Sequence, residues 1–303
     1  MSRPMFPFAL GSVLLTALAP ILWGTTYLVA TEYLPEGRPL WAAVIRTLPA
    51  GLLLIAYTRQ RVHSISWGRL LLLSALNISA FQALLFVAAY RLPGGIAAIA
   101  GALQPLIILA LAWGVDQIRP SGSAVGTALC AVAGMALLIL SPEAKWDLVG
   151  ICAALTASVS MAAGIFLSRR WKSDMPLLAF TGWQLALGGL LLLPLAIFIE
   201  PPLASLSMTN IVGYTYLSIL GTLFAYALWF RGIARLSSVA VSALGLLSPV
   251  TAILLGWLML GETMRLREIL GILIVLASVF ALQWQRRVTP KGDSRRILKV
   301  KAA

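Results

Sequence analysis

The chain has 303 residues, 60% of them hydrophobic and only 11% charged, with a formal net charge of +13. A soluble surface takes about a quarter of its residues charged, so this composition excludes an ordinary soluble domain and points to an integral membrane protein. Nucleic-acid binding is excluded too: Arg286, Arg287, Lys291, Arg295, Arg296, Lys299 and Lys301 crowd into the tail after Trp284, as in a cytoplasmic anchor beside anionic lipid.

A bilayer crossing takes about 20 apolar residues whose backbone groups are bonded within one helix. Ten such spans follow in chain order: 8–30, 39–58, 68–90, 94–115, 122–141, 147–168, 176–199, 209–231, 237–260 and 268–285. The first opens like a secretory leader, with Arg3, an apolar run and Ala17-Leu18-Ala19. Pro20 follows and the run continues to Ala30, so it reads as an uncleaved span. The breaks carry turn or charge chemistry, as at Pro35-Glu36-Gly37-Arg38-Pro39, Ser141-Pro142-Glu143 and Arg169–Asp174. None is long enough for a soluble domain. Cys130 and Cys152 sit in or at the start of apolar runs and read as small packing residues.

Orientation follows from Lys and Arg. With the N-terminus inside, the inner segments hold seventeen, the tail included, and the outer ones five: Arg38, Arg91, Lys145, Arg265 and Arg267. Both termini are expected on the cytoplasmic side.

The stretch Leu92–Trp113 recurs 144 positions later at Leu236–Trp257. Gly101, Leu103, Pro105, Leu111 and Trp113 return as Gly245, Leu247, Pro249, Leu255 and Trp257, and upstream Ser74, Phe86 and Arg91 return as Ser218, Phe230 and Arg235. This is a duplicated unit. Five spans per unit is an odd number, so the second copy enters the membrane upside down, the arrangement of alternating-access transporters. The expected architecture is all-α: ten transmembrane helices as two inverted five-helix repeats, at 1–141 and 142–285, with a basic cytoplasmic tail at 286–303. A channel or a structural membrane protein stands as the alternative from a different class.

The paired units, Trp23-Gly24 in the first span, Arg46 in the second and Gly261-Glu262 closing the ninth resemble the EamA-type drug/metabolite transporter superfamily. Among its members the chain is most similar to the bacterial aromatic amino-acid and paraquat exporter branch. Two positions depart from the repeat: Gly261-Glu262 has only Val115-Asp116 as counterpart, and Arg46 corresponds to Gln184 with Gly51 on Gly189. The resemblance implies a multi-pass metabolite exporter of the bacterial inner membrane.

Polar residues deep in a span usually face the bundle interior. Ser74, Asn77, Ile78, Phe81, Gln82 and Leu85 share one side of the third span. Shifted by 144, they become Ser218, Gly221, Thr222, Ala225, Tyr226 and Trp229. The two serines suit hydrogen bonding between helices; Asn77, Gln82 and Tyr226 suit either that or a shared cavity. With Trp23, Tyr27, Phe81, Gln104, Trp229 and Ser248 they form the candidate substrate-binding set. Pro105 and Pro249 each free a carbonyl one turn earlier, near Gly101 and Gly245, either as packing kinks or as gating hinges. Arg46 is the charge clearly inside a span; it can snorkel outward, pair with a carbonyl or receive a substrate carboxylate.

No metal-ligand spacing, phosphate loop or nucleophile–base set is present, so neither metal, cofactor nor enzymatic activity is expected. The ten acids lie at span ends, in loops or in the tail, which favours a substrate gradient as driving force, or coupling at Glu262. The apolar and aromatic walls suit amino acids, broadly and including aromatic ones, while nucleosides and organic cations remain alternatives. Small-molecule substrate and lipid bilayer are the expected partners. Oligomeric state is open, a monomer being compatible with the pattern.

Overall fold

The computed structural model describes residues 6–35, 37–91, 101–139, 147–203, 205–259 and 266–284. Among them all regular structure is helical. Helix α1 is Phe6–Tyr33, α2 Pro39–Thr58, α4 Gln104–Asp116, α5 Gly122–Ile139, α6 Leu148–Arg170, α7 Leu177–Ile199 and α10 Leu266–Trp284. Helix α3 runs from Trp67–Ser74 through a π-helical segment, Ala75–Ala80, into Phe81–Arg91. Helix α8 does the same, from Met208–Ser218 through Ile219–Phe224 into Ala225–Arg235. Helix α9 is two pieces, Ser238–Gly245 and Leu247–Met259. Among the described residues eight stretches are long and apolar enough to cross a membrane, and two shorter apolar helices, Gln104–Asp116 and Gly122–Leu137, stand beside them.

Local chemistry fixes the ends. Ser66, Asp147 and Ser237 accept from the first free amides of α3, α6 and α9, and Ser207 with Asn210 forms a reciprocal cap on α8. The start of α2 has no such residue. Its Leu40 and Trp41 amides donate instead to the Glu200 carboxylate from the end of α7, at 2.6 and 3.0 Å.

The connections sort into two groups. At one end of the bundle Glu200 meets α2, Asn210 Nδ2 donates to the Tyr33 carbonyl (2.9 Å), and Arg91 pairs with Asp147 (3.3 Å). At the other, the Asp174 amide donates to Ser64 Oγ, Trp183 Nε1 to the Gln60 carbonyl, Arg170 pairs with Asp116, and Arg169 reaches the Leu236 carbonyl. Successive helices therefore join ends alternately.

Packing repeats itself under exchange of α1–α5 with α6–α10. Helix α2 lies along α7 and α5 along α10; α3 packs on α6 as α1 does on α8, and α4 on α6 as α1 does on α9. The α2–α7 crossing is set by glycine. A Cβ on Gly51 would fall 2.2 Å from the Ala186 nitrogen, and one on Gly189 would fall 2.7 Å from Leu48 Cβ. Backbones can approach this closely only without side chains, as small-residue membrane interfaces do.

Polarity is inside out. Thr16, Arg46, Asn77, Gln82, Gln184 and Thr222 are buried, while Leu52, Leu148, Phe198 and Met208 lie exposed on the outside. That distribution suits a bundle whose solvent is lipid. Cys130 and Cys152 are both exposed, which corrects the expectation that they fill internal space. Apolar runs carry no label for which face looks inward when lipid is as apolar as the core.

Candidate functional site

The π-helical segments lie 144 positions apart, at the repeat offset. A π turn shifts the backbone ladder by one residue, which opens carbonyls to outside donors. In α8 the Gly221 carbonyl accepts from Trp23 Nε1 and from an Arg46 guanidinium nitrogen, each at 3.0 Å. Arg46 Nε donates to Thr222 Oγ1, also at 3.0 Å. Arg46 as a whole is 4% exposed. Of the three fates open to Arg46, outward snorkelling is thus overturned: the π turn offers a carbonyl and a hydroxyl within the bundle at lower cost than reaching the lipid headgroups.

In α3 the equivalent turn is filled differently. Asn77 Nδ2 donates to Gln184 Oε1 at 3.0 Å and to Ser168 Oγ at 3.1 Å. Gln184 is the counterpart of Arg46, and Asn77 that of Gly221. The differences at these two pairs of positions therefore answer each other: a long cation faces a bare glycine carbonyl in one half, and an amide faces an amide in the other. Asn77 is backed by Gly164, whose Cβ would fall 2.2 Å from Asn77 Oδ1. Its amide ties α3 to α6 and α7. Ser160 Oγ donates to the Leu76 carbonyl and Ser79 Oγ to the Gly188 carbonyl across the same interface. Ser74, expected to bond between helices, turns instead to the Leu70 carbonyl of its own helix. Its hydroxyl finds that acceptor one turn back before any neighbour is within reach.

One turn further along α3 and α8, Gln82 Nε2 donates to the Tyr226 hydroxyl at 3.0 Å. These two side chains occupy the same place in the two repeats, so the pair joins the halves where they meet. The Trp23 ring stands 5.0 Å from both Tyr226 and Trp229, tilted by 56° and 59°. Tyr226 in turn faces Phe230 at 6.0 Å. Phe81 is half-buried against the same core. A Cβ on Gly245 would lie 3.6 Å from the Trp229 ring and 4.0 Å from Gln104 Oε1. Gln104 and Trp229 thus border the break in α9, with Trp23 against Trp229 and Gln82 joined to Tyr226, one turn before Trp229.

The break lies where proline predicts it. Helix α9 stops at Gly245 and resumes at Leu247, and the Leu246 amide turns back three residues to the Ala243 carbonyl. Helix α4 begins at Gln104, immediately before Pro105, after a turn at Leu103. Gly101 has open space around its Cβ position. Ser248 and Pro249 open the second piece of α9, where Gly24 packs so tightly that its Cβ would fall 2.6 Å from the Ser248 carbonyl.

Asn77 is thus set apart from the aromatic cluster and joined to Gln184, a residue the sequence offered only as the partner of Arg46 in the repeat. The Tyr27 side chain and Gly261-Glu262 lie outside the described residues. Gly221, Thr222 and Gln184 had no distinct signal beyond their repeat positions, and Ser168 had none. Among the described residues no three His, Cys, Asp or Glu side chains gather as metal ligands would.

Comparison with known proteins gives a consistent result. The model of the EamA-like transporter family matches residues 10–140 and 148–284. Protein PecM of Dickeya dadantii is 41% identical over 268 residues, covering 88% of this chain and 90% of its own. The inner membrane transporter YedA of Escherichia coli is 28% identical, covering 86% of each chain. A WAT1-related chloroplastic protein of Arabidopsis thaliana is 29% identical over 89% of this chain and 68% of its own. A solved crystal structure superposes with a TM-score of 0.77 at 19% identity, covering 92% of this chain and 99% of that one, which speaks for the fold alone.

Proposed function

The chain belongs to the EamA-like transporter family, a multi-pass membrane transporter on that account, and we propose that it exports amino acids, aromatic ones included, across the bacterial inner membrane. Its eight long apolar stretches and two shorter helices are read as ten spans forming two inverted units, 1–141 and 142–285, with both termini and the tail at 286–303 in the cytoplasm. Transport proceeds by rocking one unit against the other around the midplane, without chemical conversion of the cargo.

The observation that carries this reading is the Gln82–Tyr226 bond between repeat-equivalent positions, beside the rings of Trp23 and Trp229, with Phe81 packed against the same core. An aromatic side chain of the cargo stacks against these rings. Gln104 and Ser248, beside the break in α9, add polar contacts, and Tyr27 extends the wall from α1. The α-carboxylate lies toward the Arg46 side of the cluster, where the guanidinium keeps its own partners and attracts the carboxylate through its charge. Gly101–Pro105 and Gly245–Pro249 act as paired hinges. A small, highly charged anion would need several convergent cations, and Arg46 is the cation placed here.

The test is counterflow in proteoliposomes: radiolabelled phenylalanine entering against preloaded phenylalanine, with unlabelled tryptophan, threonine, methionine, uridine or paraquat competing. Saturable entry with competition by the amino acids supports the reading. Competition by uridine or paraquat alone would assign a nucleoside or organic-cation exporter, and unsaturable conductance a channel.

A further inference from the structure

Most polar groups buried around the two π turns are spent on protein partners, as with the Trp23 indole, the Asn77 amide nitrogen and the Arg46 guanidinium. Two atoms in the aromatic cluster are not. Among the described residues Gln82 Oε1 and Trp229 Nε1 have no hydrogen-bond partner, in residues only 3% and 2% exposed. A buried acceptor and a buried donor left open are both costly to the protein alone, because neither recovers the water bond it gave up. They become favourable when a ligand supplies the missing halves.

The two belong to one neighbourhood. Trp229 lies one helical turn from Tyr226, and the Tyr226 hydroxyl holds the other end of the Gln82 amide. Trp23 touches both rings, and Gly245 leaves the Trp229 ring bordered by backbone where any other residue would place a side chain. Asn77 Oδ1 and Gln184 Nε2 are also without partners, but Gly164 closes on Asn77 too tightly to admit a ligand.

Resting on the amino-acid reading above, we propose that Gln82 Oε1 accepts the substrate ammonium and Trp229 Nε1 donates to its α-carboxylate. One acceptor and one donor are complementary to a zwitterion, and to neither a plain amine nor a plain acid in full. Tyr226, accepting from Gln82, keeps its own hydrogen to donate to the same carboxylate. The aromatic rings then read the side chain, and these two atoms read the backbone of the amino acid.

Three solutes with one ring separate the contacts: phenylalanine, phenethylamine without the carboxylate, and 3-phenylpropionate without the ammonium. Each competes with labelled phenylalanine in proteoliposomes carrying the unaltered protein, Trp229→Phe or Gln82→Leu. Trp229→Phe is expected to weaken phenylalanine and phenylpropionate about tenfold and leave phenethylamine within about twofold. Gln82→Leu is expected to weaken phenylalanine and phenethylamine and spare phenylpropionate. Equal losses across all three solutes, or no loss, overturn the assignment while the amino-acid cargo stands. If phenylalanine fails to compete even in the unaltered protein, the cargo reading falls and takes the assignment with it. Should Trp229→Phe fail to accumulate, 3-benzothienylalanine at position 229 keeps the bicyclic shape without the N–H and gives the same readout.

Discussion

Gly221 presents one carbonyl oxygen to two donors from two helices, and the repeat explains why glycine stands there. A Cβ there would make ordinary contact, with Leu217 Cδ2 at 3.6 Å and an Arg46 nitrogen at 3.7 Å, so an asparagine like that of the other half is expected to be accommodated once Arg46 is shortened. Replacing Arg46 by glutamine alone should lower stability in detergent by about 1–3 kcal/mol, since charge-assisted bonds are lost from buried partners. Adding Gly221→Asn should restore part of it by copying the Gln184–Asn77 junction. A melting series of the two single variants and the double variant measures this, and strictly additive losses would refute the correspondence. At the bundle end, the Asp147 carboxylate is held below its ordinary range by the Gly150 amide and, secondarily, by Arg91. A depressed carboxyl contributes stability above its unfolded value and loses it as pH falls through the folded one. Asp147→Asn keeps a capping oxygen but loses the charge, so its melting midpoint should trail the unaltered protein at neutral pH. The gap should close below about pH 4. A gap that persists in acid would mean the charge at this position does nothing.

The elements that the sequence could announce were those with chemistry at their boundaries. The turn and charge chemistry of the breaks, Pro39 at the head of α2 among it, placed most described ends within a few residues, while α8 ran a turn past its expected end, to Arg235. The π-helical segments Ala75–Ala80 and Ile219–Phe224 were invisible, because no residue type marks a π turn as proline marks a kink. The sequence could show only that polar residues gathered there. Likewise Gly51 and Gly189 were legible as repeat partners, whereas their role at the α2–α7 crossing depends on which helices meet. Gly51→Ala forces a Cβ to 2.2 Å from the Ala186 nitrogen, on backbone that cannot yield without moving a whole helix. It should cost about 1–3 kcal/mol or prevent assembly, against less than about 0.5 kcal/mol for Gly221→Ala. Thermal melting of both checks the contrast. Pro105→Ala and Pro249→Ala should regularise α4 and α9 and change the rate of counterflow more than the amount of protein in the membrane. Normal rates in both would leave these prolines as packing features.

At the scale of the molecule, the pairing of α2 with α7 and α5 with α10, and the matched pairings of α1 and α6, form the pattern expected of two units related by a twofold axis. An axis in the membrane plane inverts one unit; an axis along the normal does not. The connections decide between these in principle. Residues 59–66 meet residues 171–176 at one end, and the end of α1 meets α8 near Asn210 at the other. The loop after the second helix thus shares an end with the loop after the sixth, as five spans per unit require of inversion. Charge then chooses the side. Arg59, Arg61, Arg69, Arg119, Arg169, Arg170 and Lys172 all belong to the first of these ends. By the positive-inside rule that end is expected in the cytoplasm. Single cysteines test it in intact cells, on a chain with Cys130 and Cys152 replaced by alanine, both being exposed on the bundle surface. Ser205→Cys should react with a membrane-impermeant maleimide, and Lys172→Cys should react only after the cells are opened. The reverse pattern would turn the molecule over. Labelling of both from outside would break the inverted repeat itself, since no five-span unit can leave those two loops on one face.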